Sequence, residues 1–263
     1  MKRTFLVAAL LLGSMPSWAI GNLADLTVYD RNQGRTLPVY EHDGRYYVVG
    51  KPGNRYQINL RNQSGQALLA VTSVDGVNVV SGETADWQQS GYVLDSYRQT
   101  DIKGWRKSLS RVAQFYFTSL SDSYAARTGR PDNVGVIGVA LFRPRVELPE
   151  TRYYDDEISE RDAQSSGAPA VESSAKRAEQ SGDLARAEPR AKAENKLGTG
   201  HGRNETSHTQ YVDFERASDT ADEVITIYYD SYRNLLAQGV IPARRAVREP
   251  APFPGRFVPD PQY

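Results

Sequence analysis

The stretch "ALLAVTSVDGVNVV", residues 67–80, decides the fold class of this chain. Two runs rich in Val and Leu flank Asp75-Gly76. An Asp-Gly pair between apolar runs is the strongest short-range signal of a β-hairpin, because a type I′ turn needs positive φ at both central residues. The stretch therefore predicts two antiparallel strands joined at Asp75-Gly76, followed by the polar loop "SGETA", residues 81–85.

Short β-type runs continue on both sides of this hairpin. In "NRYQINLRN", the apolar residues Tyr56, Ile58 and Leu60 alternate with polar ones, which is the pattern of a half-buried strand. The run "NVGVIGVALFRP", residues 133–144, predicts a central strand. Turn dipeptides separate the runs and no long amphipathic helix intervenes. We therefore predict a mainly β fold, an antiparallel β-sandwich or jelly-roll-like domain over residues 20–149.

The composition changes after this domain. Residues 150–210 are rich in Ala, Glu, Arg, Ser and Gly and contain almost no large apolar side chain. Such a segment cannot bury enough apolar surface to offset the entropy of ordering, so we predict a long disordered linker. Residues 243–263 are rich in Pro and Arg and predict an extended tail.

Residues 211–242 predict a strand followed by a short helix. The strand covers residues 224–229, Asp230 or Ser231 can cap the helix "YRNLLAQ", and Gly239 can end it. A lone strand has no stable hydrogen-bond ladder in water. We expect it to add to an edge of the N-terminal sandwich across a looped-out linker, since loop closure entropy grows slowly with length. The alternative is pairing with another copy or with a partner protein.

The chain begins like an exported protein. Lys2 and Arg3 precede a short apolar run, and Ser17-Trp18-Ala19 offers a cleavage site, so residues 1–19 predict a secretory signal peptide. The alternative is an uncleaved anchor, although the apolar run is too short to span a bilayer. No later segment is apolar enough to cross a membrane. The chain has no cysteine, which excludes thiol catalysis and cysteine zinc sites. We expect a periplasmic location, with an extracellular one as the alternative.

The charge balance limits the classes of partner. The chain has 32 Lys and Arg and 32 Asp and Glu. This balance provides no net field that would attract nucleic acid or an anionic membrane. We expect an envelope protein or a glycan as the partner and no cofactor. The oligomeric state is left open.

Three runs together carry a resemblance. "SVDGVNVVSGETADWQQSGYVL", "IKGWRKS" and "FYFTSLSDSYAARTGRPDNVGVIGVALF" resemble a family of uncharacterised exported bacterial proteins with the same order of motifs. The resemblance covers roughly residues 54–142, with a weaker similarity in "VITIYYDSYRNLLAQGVI". It implies a compact β domain, and no functional residue can be carried over from it.

Two loop carboxylates are the candidates for catalysis. Glu83 and Asp86 follow the predicted hairpin, and two carboxylates at a suitable separation can act as the acid and base of a carbohydrate-directed hydrolase. Acidic residues are also ordinary in surface loops, and Asp75 is what the turn itself requires. The sequence contains no GxSxG, HExxH or Walker motif. We therefore predict a non-catalytic binding or structural protein, with the hydrolase as the alternative.

Exposed aromatic and basic residues are the candidates for ligand binding. Trp87 lies in the polar loop and could stack on a sugar ring, although β-proteins also use Trp and Tyr for packing. Lys103, Arg106 and Lys107 form a small basic cluster that could bind an anionic ligand or could be a solvated face. His201 and His208 flank Glu205. Because they fall in or beside the predicted linker, we expect no metal site there.

Overall fold

The computed structural model of the chain describes residues 19–146 and 196–242. Residues 1–18 of the predicted signal peptide, residues 150–195 of the predicted linker and the predicted tail, 243–263, lie outside the described residues. The described part forms fourteen strands, two short α-helices and two 3-10 helices.

The strands lie mainly in the N-terminal part of the chain. They are β1 (Ala24–Asp30), β2 (Arg35–Thr36), β3 (Val39–His42), β4 (Arg45–Gly50), β5 (Arg55–Asn62), β6 (Leu68–Val74), β7 (Val77–Asn78), β8 (Tyr92–Leu94), β9 (Gln99–Ile102), β10 (Gly104–Ser108), β11 (Arg111–Ser119), β12 (Val136–Phe142), β13 (Leu197–Thr206) and β14 (Glu223–Ser231). The helices are α1 (Tyr124–Arg127) and α2 (Tyr232–Ala237), with 3-10 helices at Leu120–Asp122 and Pro131–Asn133.

Two packed sheets make up the fold. The first has the order β10-β11-β5-β1-β2, with β13 on β11 and β9 on β5. The second has the order β3-β4-β14-β12-β6-β7, with β8 on β6. The pairing of β14 with β4 is parallel, and the other named strand pairs are antiparallel. The predicted mainly β sandwich is therefore confirmed.

The Asp75-Gly76 hairpin forms as predicted. Val74 pairs with Val77 across a two-residue turn, and Asp75 and Gly76 have φ of 54° and 71°, as a type I′ turn requires. Asp43-Gly44 turns in the same way between β3 and β4, with φ of 49° and 70°.

The core lies between the two sheets. Alternate side chains of each strand point into it, as the sequence pattern of β5 predicted, and Tyr56, Ile58 and Leu60 are fully buried. Phe115 and Phe117 of β11 stack on the Tyr56 ring, at centroid distances of 5.3 and 4.3 Å. Residues from both described parts of the chain, including Leu197 and Ile227, belong to this same core.

The C-terminal strand lies in the middle of a sheet. β14 pairs with β12 on one side and with β4 on the other, so the prediction that it adds to an edge is wrong. Ile225, Ile227 and Tyr229 alternate into the core. This alternation was visible in the sequence, but alternation does not tell which strands are neighbours. α2 packs on the outer face of the same sheet, where Leu235, Val240 and Ile241 form a small buried cluster against Tyr47 and Val49.

The prediction of a disordered linker is wrong for its last part. Leu197–Thr206 forms a ten-residue strand, β13, along β11. The strand packs closely because it contains glycines in place of large apolar residues. A Cβ on Gly198 would lie 2.6 Å from Ser123 Cβ, and one on Gly200 would lie 2.2 Å from Tyr116 Cζ. The glycines permit a close approach of the chain to its neighbours, which a search for large apolar residues overlooks.

Within residues 19–146 and 196–242, no helix has both the length and the apolarity that a membrane span requires.

Candidate functional site

The loop after the hairpin is organised around a buried asparagine. Asn78 Oδ1 accepts from the Val80 backbone N–H at 2.7 Å, and Asn78 Nδ2 donates to the Ser90 carbonyl at 3.0 Å. Glu83 and Asp86 are both exposed, and Asp86 Oδ1 accepts from the Gln88 N–H at 2.8 Å. Neither carboxylate lines either of the two clefts described below. The predicted catalytic pair is therefore not part of either cleft.

Trp87 is 48% exposed on the same loop. Its carbonyl accepts from Arg216 Nη1, and the Arg216 guanidinium lies 4.3 Å from the centroid of the Phe142 ring. This arginine fixes the backbone at Trp87 and leaves the indole open to solvent. Trp87 therefore remains a candidate for binding, as predicted.

The three predicted basic residues have different surroundings. Arg106 donates to Tyr92 Oη at 2.9 Å and to the Ser207 carbonyl at 2.6 Å, so its guanidinium is held within the protein. The positive charge of Lys107 contributes to lowering the pKa of His201, after the larger effect of burial. Lys103 contributes to lowering the pKa of Glu205, whose main cause is the hydrogen bond from Arg31.

His201 and Glu205 of β13 have different partners. The His201 ring packs on Tyr124 with centroids 5.5 Å apart, whereas Glu205 receives two hydrogen bonds of 2.8 Å from the Arg31 guanidinium. Among the residues that the structure describes, no group of three or more His, Asp or Glu side chains is arranged to hold a metal ion.

The turn residue Asp75 has a second role that the sequence did not show. Its side chain is buried, with 1% exposed. Oδ1 accepts from the Gly135 N–H at 2.9 Å and from the Tyr229 hydroxyl, and Oδ2 accepts from the Thr199 N–H at 2.8 Å. One carboxylate thus joins the hairpin to β13, β14 and the residue before β12.

The hydroxyl groups around Asp75 form a chain. Tyr229 donates to Asp75, so it can accept from Thr199 Oγ1 at 2.6 Å, and Thr199 in turn accepts from Tyr56 at 2.6 Å. Burial raises the pKa of Asp75 to about 6 and the pKa of both tyrosines well above their usual value. Every polar atom of this group is directed at another protein atom, which is the arrangement of a structural network.

A concavity lies on the outer face of the second sheet, beside α2. We name it the α2 cleft. Its volume is about 460 Å³. Strands β4 and β14 form one side with Arg45, Tyr47, Tyr228 and Asp230. Asn234 of α2, the C-cap residue Gln238 and the segments around Gly135 and Lys196 complete the lining.

Asp230 is the acidic side chain of the α2 cleft. Only 7% of it is exposed. Its Oδ1 accepts from the Ser231 N–H at 2.7 Å, from Asn234 Nδ2 at 2.8 Å and from the Leu197 N–H at 3.3 Å. Burial raises the pKa of Asp230. This carboxylate ties α2 and the start of β13 to β14, so it fixes the walls of the cleft.

The aromatic side of the cleft is a pair of half-buried tyrosines. Tyr47 and Tyr228 face each other across the parallel β4–β14 pair, with ring centroids 5.6 Å apart and planes tilted by 33°. The guanidinium of Arg45 lies 5.6 Å from the centroid of the Tyr228 ring. The arrangement offers an apolar surface next to a cation and to side-chain amides.

A second cleft lies at the other end of β14. It is lined by Glu41, Tyr46, Glu223 and the N-terminal segment 19–22, among other residues. Glu223 already accepts from the backbone N–H groups of Asn22 at 2.7 Å and Leu23 at 2.6 Å. Glu223 therefore holds the start of the described chain, and we take the α2 cleft as the candidate site.

Comparison of the chain with protein-family models, with curated proteins and with solved structures finds no match. The resemblance to uncharacterised exported proteins stays a prediction. The site is therefore described by its own geometry.

Sequence reasoning did not find the α2 cleft. Tyr228 and Asp230 alternate outward on β14, and this outward position was readable from the pattern of the strand. Their neighbours Arg45 and Tyr47 lie more than 180 residues earlier in the chain, and only the parallel pairing of β4 with β14 brings them together.

Proposed function

We propose that this chain is a non-catalytic binding protein of the bacterial cell envelope whose ligand is a glycan held in the α2 cleft. The observation that carries the proposal is the cleft itself, with two tyrosine rings beside amide and guanidinium groups. Small-ligand sites in proteins are concave, mostly apolar, and carry a few placed polar groups. The envelope location is supported by the signal-peptide pattern of residues 1–19.

A glycan matches this lining better than a purely apolar ligand does. A sugar ring has one face of C–H groups, which can pack on the tyrosines, and a rim of hydroxyls, which need hydrogen-bond partners. Gln238 is exposed and lines the cleft. Its Nε2 donates to Asp230 Oδ2 at 3.4 Å, and an amide side chain has a second N–H and an oxygen that can bind sugar hydroxyls. The polar groups of the cleft can thus form hydrogen bonds with the hydroxyls of a sugar, and the tyrosine rings can pack on its C–H face.

The buried carboxylates Asp75 and Asp230 have structural roles in the protein. Asp75 and Asp230 each accept several hydrogen bonds from protein N–H groups, so their oxygens already have protein partners. The hydrolase alternative on Glu83 and Asp86 gains no support from the exposed positions of these residues.

The test is calorimetric titration of the purified protein with β-1,4-linked tetramers of N-acetylglucosamine, glucose and glucuronate. We expect at least one tetramer to bind, and we expect Tyr228→Ala to weaken that binding by about tenfold through loss of the ring contact. Tyr232→Ala is the matched control, because Tyr232 is half exposed on α2 and does not line the cleft.

Gln238→Ala keeps the test decisive should Tyr228→Ala lower the folded fraction, since Gln238 is an exposed residue at the cleft edge. Binding that neither substitution changes, or no binding of any of the three tetramers, would contradict the proposed function.

A further inference from the structure

We propose that the α2 cleft selects glycans whose sugar rings carry a carboxylate, as uronic acids do, and that Arg45 binds this carboxylate. This inference rests on the proposed function and names the chemical class of its ligand. It is carried by the order of side chains along the cleft.

The strand register sets that order. On the outer face of β4, Arg45, Tyr47 and Val49 follow one another at every second residue, and Asp230 of β14 lies opposite Val49. Four residues separate Arg45 from Val49, which corresponds to about 13 Å along a strand. The cation and the buried carboxylate therefore lie at opposite ends of the cleft, with the tyrosine pair between them.

Arg45 is suited to bind an anionic group. It is exposed, and among the salt bridges between described residues none involves its guanidinium. Its guanidinium lies 5.6 Å from the centroid of the Tyr228 ring, and a planar guanidinium can bind a carboxylate through two parallel hydrogen bonds. A carboxylate bound there would project from a sugar ring that packs on the tyrosines.

The far end of the cleft does not oppose such a ligand. The Asp230 carboxylate is nearly buried and is surrounded by the N–H groups of Ser231, Leu197 and Asn234. The distance along the strands places the ligand carboxylate beside Arg45 and away from Asp230.

The experiment compares two ligands that differ only in charge. The purified protein is titrated by calorimetry with the β-1,4-linked tetramer of glucuronate and with that of glucose. We expect the glucuronate tetramer to bind at least about tenfold more tightly, the size of effect expected for a charge-assisted hydrogen-bonded pair. The readout is the ratio of the two affinities, which a uniform loss of ring packing does not change.

Arg45→Gln should reduce this ratio to about one, and Arg45→Lys should leave an intermediate ratio because the charge remains and the paired hydrogen bonds do not. Arg233→Gln is the control, since Arg233 is exposed on α2 and does not line the cleft. Equal affinities for the two tetramers in the unsubstituted protein would overturn this inference while leaving glycan binding intact.

Two further outcomes are decisive. Displacement of the glucuronate tetramer by excess inorganic phosphate would show a general anion site and would overturn selection for a uronate. Failure of glucuronate, glucose and N-acetylglucosamine tetramers alike to bind would remove the proposed function itself.

Discussion

At the scale of single residues, Asp75 has two structural roles, one of its backbone and one of its side chain. Its backbone has the positive φ of a type I′ turn, and its carboxylate is the centre of a buried network. The turn was predictable from the Asp-Gly pair, because that requirement is local. The network was not, because Gly135, Thr199 and Tyr229 reach Asp75 only through the packing of distant strands.

Replacing Asp75 by Asn should lower the free energy of unfolding by about 2 kcal/mol. The side-chain NH2 of Asn would face a backbone N–H, of Gly135 or Thr199, that now donates to a carboxylate oxygen. Asn tolerates positive φ, so the turn itself is preserved. Asp43→Asn is the matched control, because Asp43 precedes a glycine in the same type of turn with an exposed side chain. Urea unfolding at pH 7 measures both; equal effects would show that the network contributes little.

The pH dependence of stability gives a second check on Asp75. Burial raises its pKa from 3.8 to about 6 in the folded protein, so the folded state binds a proton more readily than the unfolded one between these values. The contribution of Asp75 to stability therefore falls as the pH rises through 6.

We expect the Asp75 contribution to be about 1 kcal/mol more favourable at pH 5 than at pH 7. The burial of Asp230 acts in the same direction, and the lowered pKa of Glu205 acts in the opposite one. The difference between the unsubstituted protein and Asp75→Asn isolates the Asp75 part. A difference in unfolding free energy that stays constant from pH 7 to pH 5 would contradict the raised pKa.

At the scale of elements, β13 shows where composition misleads. Its sequence "LGTGHGRNET" has the Gly-rich polar character of a linker, and only Leu197 is a large apolar residue. The strand is nevertheless held by its backbone pairing to β11 and by Asp75 and Asp230, which accept the N–H groups of Thr199 and Leu197. Neither contribution leaves an apolar pattern in the sequence.

Gly198→Ala should lower the free energy of unfolding by about 1 to 3 kcal/mol, as overpacking of a well-packed site does. The new Cβ would lie 2.6 Å from Ser123 Cβ and 2.7 Å from Val134 Cγ1. Gly65→Ala is the control, because its nearest neighbour is Tyr97 Oη at 3.5 Å. Chemical denaturation of the two variants decides this; a Gly198→Ala protein as stable as Gly65→Ala would mean that β13 does not pack as closely as described.

At the scale of the whole molecule, the sandwich is completed by the C-terminal residues. The class of the fold followed from the alternating short runs, because alternation is a local property. The order of strands did not, because a parallel neighbour such as β4 for β14 has no local signature. The α2 cleft depends on this pairing. It could not be predicted from the sequence for the same reason.

A chain that ends at residue 146 should not fold cooperatively. Removing β14 would leave β12 and β4 without the strand that lies between them. It would also expose the side chains of Ile137 and Val139, which are buried in the structure. Circular dichroism melting of this fragment should show no sharp transition, and adding the separate segment 196–242 should restore one. A fragment that melts cooperatively at the temperature of the complete protein would show that β14 is dispensable.

The most direct test of the central proposal, that a glycan occupies the α2 cleft, is an amide NMR titration of the purified protein with the glucuronate tetramer. We predict that the largest shift changes fall on Tyr228–Ser231, on Arg45–Tyr47 and on α2. If the chemical shifts of the cleft amides do not change and the changes fall instead on the loop around Trp87, the proposal that the α2 cleft binds the glycan is contradicted.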